Sequence, residues 1–328
     1  YYIIFSYMTL GEIYMLAIRM GIDADPRGAD GVKKYLARQK KHFEDLSASK
    51  KNDFDAESLK NPYSDTRVLV GNLSKKIKRV MAGIDSNVSE VLLADRLSEK
   101  GEVIDLLIGH HPSGHALASL HEVMDLQVDT FAQNGVPENV AYALLKDSMS
   151  LVKRKFGPLN HSRAVDAAKL LDIPLLALHT VWDNMGDAFM KKYLNGKKFE
   201  NVSELLEEIC KIPEFAEAKK GKNGPSIVSG GEHSRTGKIM VTFTGGTNPS
   251  KELYVELAKA GVGTLVEMHI PEESLQELKK AHINAIDVGH MAADSIGANL
   301  FLDELEKAGI DVIVCSGLIR VKRNSSKK

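Results

Sequence analysis

An apolar run over residues 103–108 breaks off at Gly109-His110-His111-Pro112. This feature constrains the fold most. A run without polar alternation reads as a strand buried on both faces, which belongs in a parallel sheet covered by helices. Pro112 cannot continue the hydrogen-bond ladder and fixes the exit turn. Open α/β sheets bind ligands at the carboxyl ends of their strands, so this run delivers two adjacent imidazoles to the place where a site forms. Taken alone a His-His pair says little, since many sit on surfaces by accident. Its weight comes from recurrence. Residues 174–178 form a second apolar run leading to His179, with Asp183 four residues on. Residues 283–288 form a third, leading to Gly289-His290, with Asp294 four residues on. His290 and Asp294 share one face of the helix that follows.

The same alternation fills most of the chain. Strands are expected at 67–70, 79–84, 238–243, 263–268 and 311–315. Helices are expected at 87–100, 161–171, 251–260, 272–281 and 291–307, the second of them capped by Asn160. The fold class is therefore α/β: two α/β lobes with mostly parallel sheets covered by helices, and the site in the cleft between them. A chain of 328 residues is long enough for two lobes. The division expected is a helical leader over 1–65, a first lobe over 66–200 and a connection over 201–224 that carries one short amphipathic helix around 205–209. A second lobe over 225–321 and a basic, Ser-rich tail over 322–328 complete it. Within the leader, Thr9 caps a helix through Met20, a Lys- and Arg-rich helix spans 31–46, and 47–65 is loop. Met8 reads as the initiator and residues 1–7 as not native. A helical insertion, 113–157, interrupts the first lobe.

Composition removes several classes of function. The formal net charge of −1 gives no bulk electrostatic case for nucleic acid or an anionic membrane. No apolar run approaches spanning length. Cys210 and Cys315 lie too far apart for a zinc spacing or a disulfide framework, which suits a reducing cytoplasm. The basic helix face around Lys33, Lys34 and Lys40 reads as solvated, and His115 and His121 as ordinary helical histidines. Residues 244–250, Thr-Gly-Gly-Thr-Asn-Pro-Ser, read first as a tight turn. A glycine turn before a helix is also a place for an anion, although the Lys-Ser/Thr of a nucleotide loop is missing.

Five candidate ligands remain: His110, His111, Asp183, His290 and Asp294. Three imidazoles and two carboxylates are too few for two closed sites. They suit two divalent metal ions that share a carboxylate and keep open positions. Nitrogen and oxygen ligands without thiolate fit zinc, iron, manganese or cobalt.

These motifs resemble the NGG-one-interacting-factor-three-like family, also known as the GTP cyclohydrolase I type 2 family. The resemblance rests on IGHHP at 108–112, LHTVWDNMGD at 178–187 and IDVGHMAAD at 286–294, in the family's order, and covers most of 66–321. It implies a dinuclear centre in which His110 and His111 bind different metals, Asp183 can bridge, and His290 and the carboxylate at 294 complete the set. It places His179 beside the metals, as proton shuttle or partner of a ligand, and turns His269 toward the same cleft. It also implies a homo-oligomeric ring built from dimers. The chain departs from the pattern at three places. Asp294 stands where the family has Glu, one methylene shorter, and both the leader and the insertion are extra. The expected activity is metal-dependent hydrolysis of a small anionic or nucleotide-like substrate, GTP ring opening being one candidate. The alternative is a metal-delivery or scaffold protein.

Overall fold

The computed structural model describes residues 7–323, and among them the chain forms eleven strands. They are β1 (Met8–Thr9), β2 (Thr66–Val70), β3 (Lys76–Ile77), β4 (Arg79–Gly83), β5 (Leu106–Gly109), β6 (Leu175–Leu178), β7 (Ser226–Ser229), β8 (Lys238–Thr242), β9 (Val262–Glu267), β10 (Asn284–Asp287) and β11 (Asp311–Cys315). The first lobe holds a five-stranded sheet in the order β11-β4-β5-β6-β2, and the second a four-stranded sheet in the order β7-β10-β9-β8. All neighbours run parallel except one edge strand in each sheet: β2 is antiparallel to β6 and β7 to β10. Helices cover both sheets.

The central strand shows why the apolar run is continuous. Leu106 and Ile108 join the core beneath helices Leu10–Asp23 and Thr180–Leu194, while Leu107 joins the opposite core with Val91 and Ala168. Alternate side chains of one strand thus need apolar partners on two faces.

Four sequence expectations change. First, the strand at 311–315 does not extend the second lobe. It returns to the first sheet, parallel to β4, with Asp311 bridged to Arg79. Second, 47–65 is not plain loop: it contains helix Ala48–Asn52 and a 3-10 turn, Ala56–Leu59. Third, residues 201–224 form two helices, Val202–Ile209 and Pro213–Lys220, whose Leu205, Ile209 and Phe215 enter the second lobe's core. Fourth, helix Arg163–Leu170 starts after Ser162, and Asn160 does not cap it. The leader's first helix, Leu10–Asp23, behaves as core, while helix Gly28–Asp45 buries only Val32. Thr9 and Glu12 close a reciprocal capping box, and Leu10, Ile13 and Ala17 are buried against helix Thr180–Leu194. Of the segments whose origin is discussed above, residues 1–6 and 324–328 lie outside the described residues.

The insertion gives the largest surprise. It comprises helices Gly114–Ala118, Leu126–Gln133 and Glu138–Phe156, with a 3-10 turn at Leu120–Asp125. It leaves the first sheet after β5, yet Met124, Phe131, Ala141 and Leu145 pack with Met240, Leu253, Leu257 and Leu265 of the second lobe. It therefore straps one lobe to the other across the cleft.

Candidate metal centre

Each candidate group sits just beyond the carboxyl end of a strand or on the first turn of the helix that follows. His110 and His111 follow β5, His179 follows β6, and Asp183 lies in the first turn of helix Thr180–Leu194. His290 opens helix His290–Lys307, which carries Asp294 one turn later. These two helices cross at contact distance. A Cβ at Gly297 would stand 1.9 Å from the Trp182 carbonyl oxygen, so only glycine permits the approach that brings Asp183 and Asp294 to one place.

Three imidazoles are held in one sense. His110 Nδ1 donates to the Leu178 carbonyl at 3.1 Å, His111 Nδ1 to Asp85 at 2.9 Å and His179 Nδ1 to Asp65 at 2.8 Å. Such a bond fixes the tautomer and leaves Nε2 as the free ligand atom. Around Asp294 the separations are 3.5 Å from Oδ1 to His110 Nε2, and 3.6 Å from Oδ2 to both His111 Nε2 and His290 Nε2. Asp183 Oδ1 stands 3.3 Å from His110 Nε2. His110 and Asp294 are buried, and among the described residues neither His110 Nε2 nor either Asp294 oxygen has a hydrogen-bond partner. Buried polar atoms are seldom left so.

The donor set fits a metal. Two ligands each about 2.1 Å from one tetrahedral ion lie about 3.4 Å apart, close to the separations around Asp294. His110, His111 and Asp294 form one group able to hold an ion, and His110, His179 and Asp183 another. Without one, the charges settle on each other. Burial opposes the His110 imidazolium, but Asp294 and Asp183 outweigh it and raise its pKa well above the ordinary value. Burial likewise opposes the Asp294 carboxylate, and His110 overcomes it, so that pKa is lowered. A cation between them would replace the proton.

The structure brings all five candidate ligands and His179 together. His269 lies at the rim: its ring stacks on His290 with centroids 6.3 Å apart, its side chain is largely exposed, and it stands 3.9 Å from Asp287. Sequence reasoning missed Asp85 and Asp65. Asp85 directly follows the apolar run 79–84, so the strand-end rule that found the histidines applies to it as well. Asp65, fully buried, accepts from both His179 and Thr180 Oγ1, the latter at 2.6 Å. It belongs to the segment read as loop, and nothing in its spacing marks it.

A solved structure with this arrangement of lobes is the NIF3 superfamily protein from Sphaerobacter thermophilus, which is 26% identical, with a TM-score of 0.75 over 95% of this chain and 100% of that one. The fold is that of the NIF3 superfamily. Reduced HcgD from Methanocaldococcus jannaschii shares it at 15% identity, with a TM-score of 0.50 over 82% of this chain and 97% of that one. No family model and no curated protein matches the chain. The NIF3 fold here carries a buried His/Asp cluster able to hold a metal ion. Among the described residues, no helix is long and apolar enough to cross a membrane.

Proposed function

We propose that this NIF3-fold protein is a metal-dependent hydrolase acting on a small molecule in the cleft between its lobes, with two divalent ions held by His110, His111, Asp183, His290 and Asp294. One observation carries the reading. The two unpartnered oxygens of a buried carboxylate, Asp294, face three imidazole Nε2 atoms at 3.5–3.6 Å. Asp294, placed between the histidines, rather than Asp183, would be the shared carboxylate, and Asp183 with His110 would hold the deeper ion. Divalent ions supply Lewis acidity there and lower the pKa of water toward neutrality. The chain's own residues do the rest. Asp65 and Asp85 orient His179 and His111. His179, at 3.8 Å from Asp183 and lining the cleft, holds or passes a proton at Nε2. His269 at the rim does so at the solvent side.

The half-exposed His290, which stands 3.6 Å from Asp294, beyond hydrogen-bond length, favours a second reading in which one ion is delivered rather than used. A single experiment separates them. Protein loaded with zinc, manganese or cobalt is analysed for bound metal and screened against phosphoester, amide and nucleotide substrates. Two equivalents of metal, and turnover that Asp294→Ala abolishes, support the hydrolase. Two equivalents that exchange within minutes, with no turnover, support delivery. Less than one equivalent overturns both. The resemblance also extends to a homo-oligomer built from dimers, which sedimentation showing only monomer at micromolar concentration would contradict.

A further inference from the structure

The cleft is far larger than hydrolysis of a small anion needs. Its volume is about 1290 Å³, and it is lined both by the cluster, through His111, His179, Asp183 and His290, and by the strap. Ordinary ligand pockets reach roughly 1,000 Å³. The strap supplies most of the apolar lining, with Leu117, Phe131, Leu144, Leu151, Val152 and Phe156 set among polar side chains, and Leu151 is 60% exposed. The second lobe's wall is polar, with Thr242, Thr244, Asn248 and Ser250. Beyond the cluster the charged lining is mixed, Arg154, Lys155 and Lys251 standing with Asp147, Glu252, Glu267 and Glu273, so charge does not choose the ligand.

The two walls are built for each other. Gln127 of the strap donates from Nε2 to the Gly245 and Thr247 carbonyls at 2.7 and 2.6 Å. A Cβ on Gly245 would come within 2.4 Å of Gln127 Cγ, and one on Gly246 within 2.7 Å of Val123. The glycine turn therefore exists to seat the strap, and its carbonyls are not free for other work. Gln127 Oε1, on a side chain 3% exposed that lines the cleft, has no hydrogen-bond partner among the described residues, and neither has Ser250 Oγ. Both await a polar group from outside.

We propose that the strap makes this cleft specific for an amphipathic small molecule. Its apolar acyl or aryl body lies on the Leu144, Leu151 and Phe156 wall, and polar groups beside that body meet Gln127 Oε1 and Ser250 Oγ. Its reacting end reaches the His/Asp cluster. The inference rests on the metal reading above only for where the reacting end goes.

Two probes keep the parts distinct. Straight-chain hydroxamates from acetyl to octanoyl carry a metal-binding head and a tail of growing length, and are titrated against zinc-loaded protein. A fully buried methylene adds roughly fourfold in affinity, so six methylenes on this half-open wall should add about 100-fold. The gain should disappear in Leu151→Asp, which changes an exposed side chain, and in Ser148→Trp, which fills the cleft. Anilinonaphthalene sulfonate, titrated on metal-free protein, should bind at one site and be weakened at least tenfold by either variant. Equal affinity for all hydroxamates overturns the proposal, as does dye binding that neither variant alters. Dye binding lost in both variants, with no hydroxamate bound at any length, keeps the apolar wall and removes the metals.

Discussion

The two lobes hold their histidines differently. In the first, His110, His111 and His179 are each pinned through Nδ1 by a carbonyl or a carboxylate. In the second, His290 stands 3.6 Å from Asp294 and His269 3.9 Å from Asp287, both beyond hydrogen-bond length. The pinned rings are mostly buried, and His110 also stacks on Trp182 with planes 6° apart. The others face the cleft. On the proposed reading the first lobe would supply ligands whose orientation is fixed in advance, and such fixing is worth one to two orders of magnitude in affinity. The second would supply a ligand, His290, whose ring is not fixed in this way. Asp294 belongs by sequence to the second helix but is buried against the first lobe's histidines, and so joins the halves.

The largest effect should come from removing the pinned half. His110→Ala combined with Asp183→Ala should abolish both equivalents of bound metal. Elemental analysis showing unchanged metal would break the assignment. Trp182, the chain's single tryptophan, offers a second measurement. Its stack on His110 makes its fluorescence report cobalt in the deeper position.

His290→Ala sharpens the comparison. It should lose one equivalent and leave the tryptophan response to cobalt intact. Asp85→Ala removes no ligand, yet should weaken the position that His111 completes about tenfold, because His111 loses its orienting partner. Competition titration with a chelator measures both. If Asp85→Ala matched the wild type, the pinning would be packing rather than preorganisation.

A buried carboxyl in the second lobe gives a smaller effect, read in stability. Glu267 ends β9, lines the cleft and accepts from Tyr254 OH at 3.1 Å. Burial pushes its pKa up to about 8. Between its ordinary value and 8 the folded chain keeps this proton while the unfolded chain loses it. Stability therefore falls as pH rises through that window. Glu267→Gln removes the linkage. In metal-free protein the fall in Tm from pH 5.5 to 8.5 should shrink by about 6 °C in the variant, taking about 1.4 kcal/mol per pKa unit and about 2 °C per kcal/mol. Equal falls in both proteins would place an ionised Glu267 in the cleft.

The parts legible in the sequence share a cause. Strands buried on both faces announce themselves as unbroken apolar runs, and His110, His179, Asp183, His290 and Asp294 lie within a few residues of such runs. What escaped depends on partners far along the chain. The strand at 311–315 reads the same whichever sheet it joins, and its neighbour β4 lies more than two hundred residues earlier. β7, an edge strand of Ser-Ile-Val-Ser, is too short and too exposed to show a pattern. The strap's apolar face is visible as helical periodicity, but nothing in it says that its partner is the other lobe. Asp65 is legible only once His179 is in place.

The smallest effect tests the carboxylate that joins the halves. The family resemblance expects Glu at 294 and hence tolerance of Asp294→Glu. The geometry argues for a modest loss. The gaps of 3.5 Å from Asp294 Oδ1 to His110 and 3.6 Å from Oδ2 to His111 and His290 already fit pairs of ligands on tetrahedral ions, which lie about 3.4 Å apart. One more methylene advances the carboxylate by about 1.5 Å. The helix cannot retreat toward Trp182, because Gly297 already touches that residue's carbonyl. Glutamate must then fold its extra carbon into a strained rotamer, at about 0.5–1.5 kcal/mol, which is roughly a two- to tenfold loss of affinity. Asp294→Ala, which removes the shared ligand, should lose at least one equivalent outright. Titration of the two variants side by side decides the matter. Tighter binding by Asp294→Glu would mean that the second lobe draws back when an ion is bound, and that the looser half of the site adapts by moving its helix rather than its side chains.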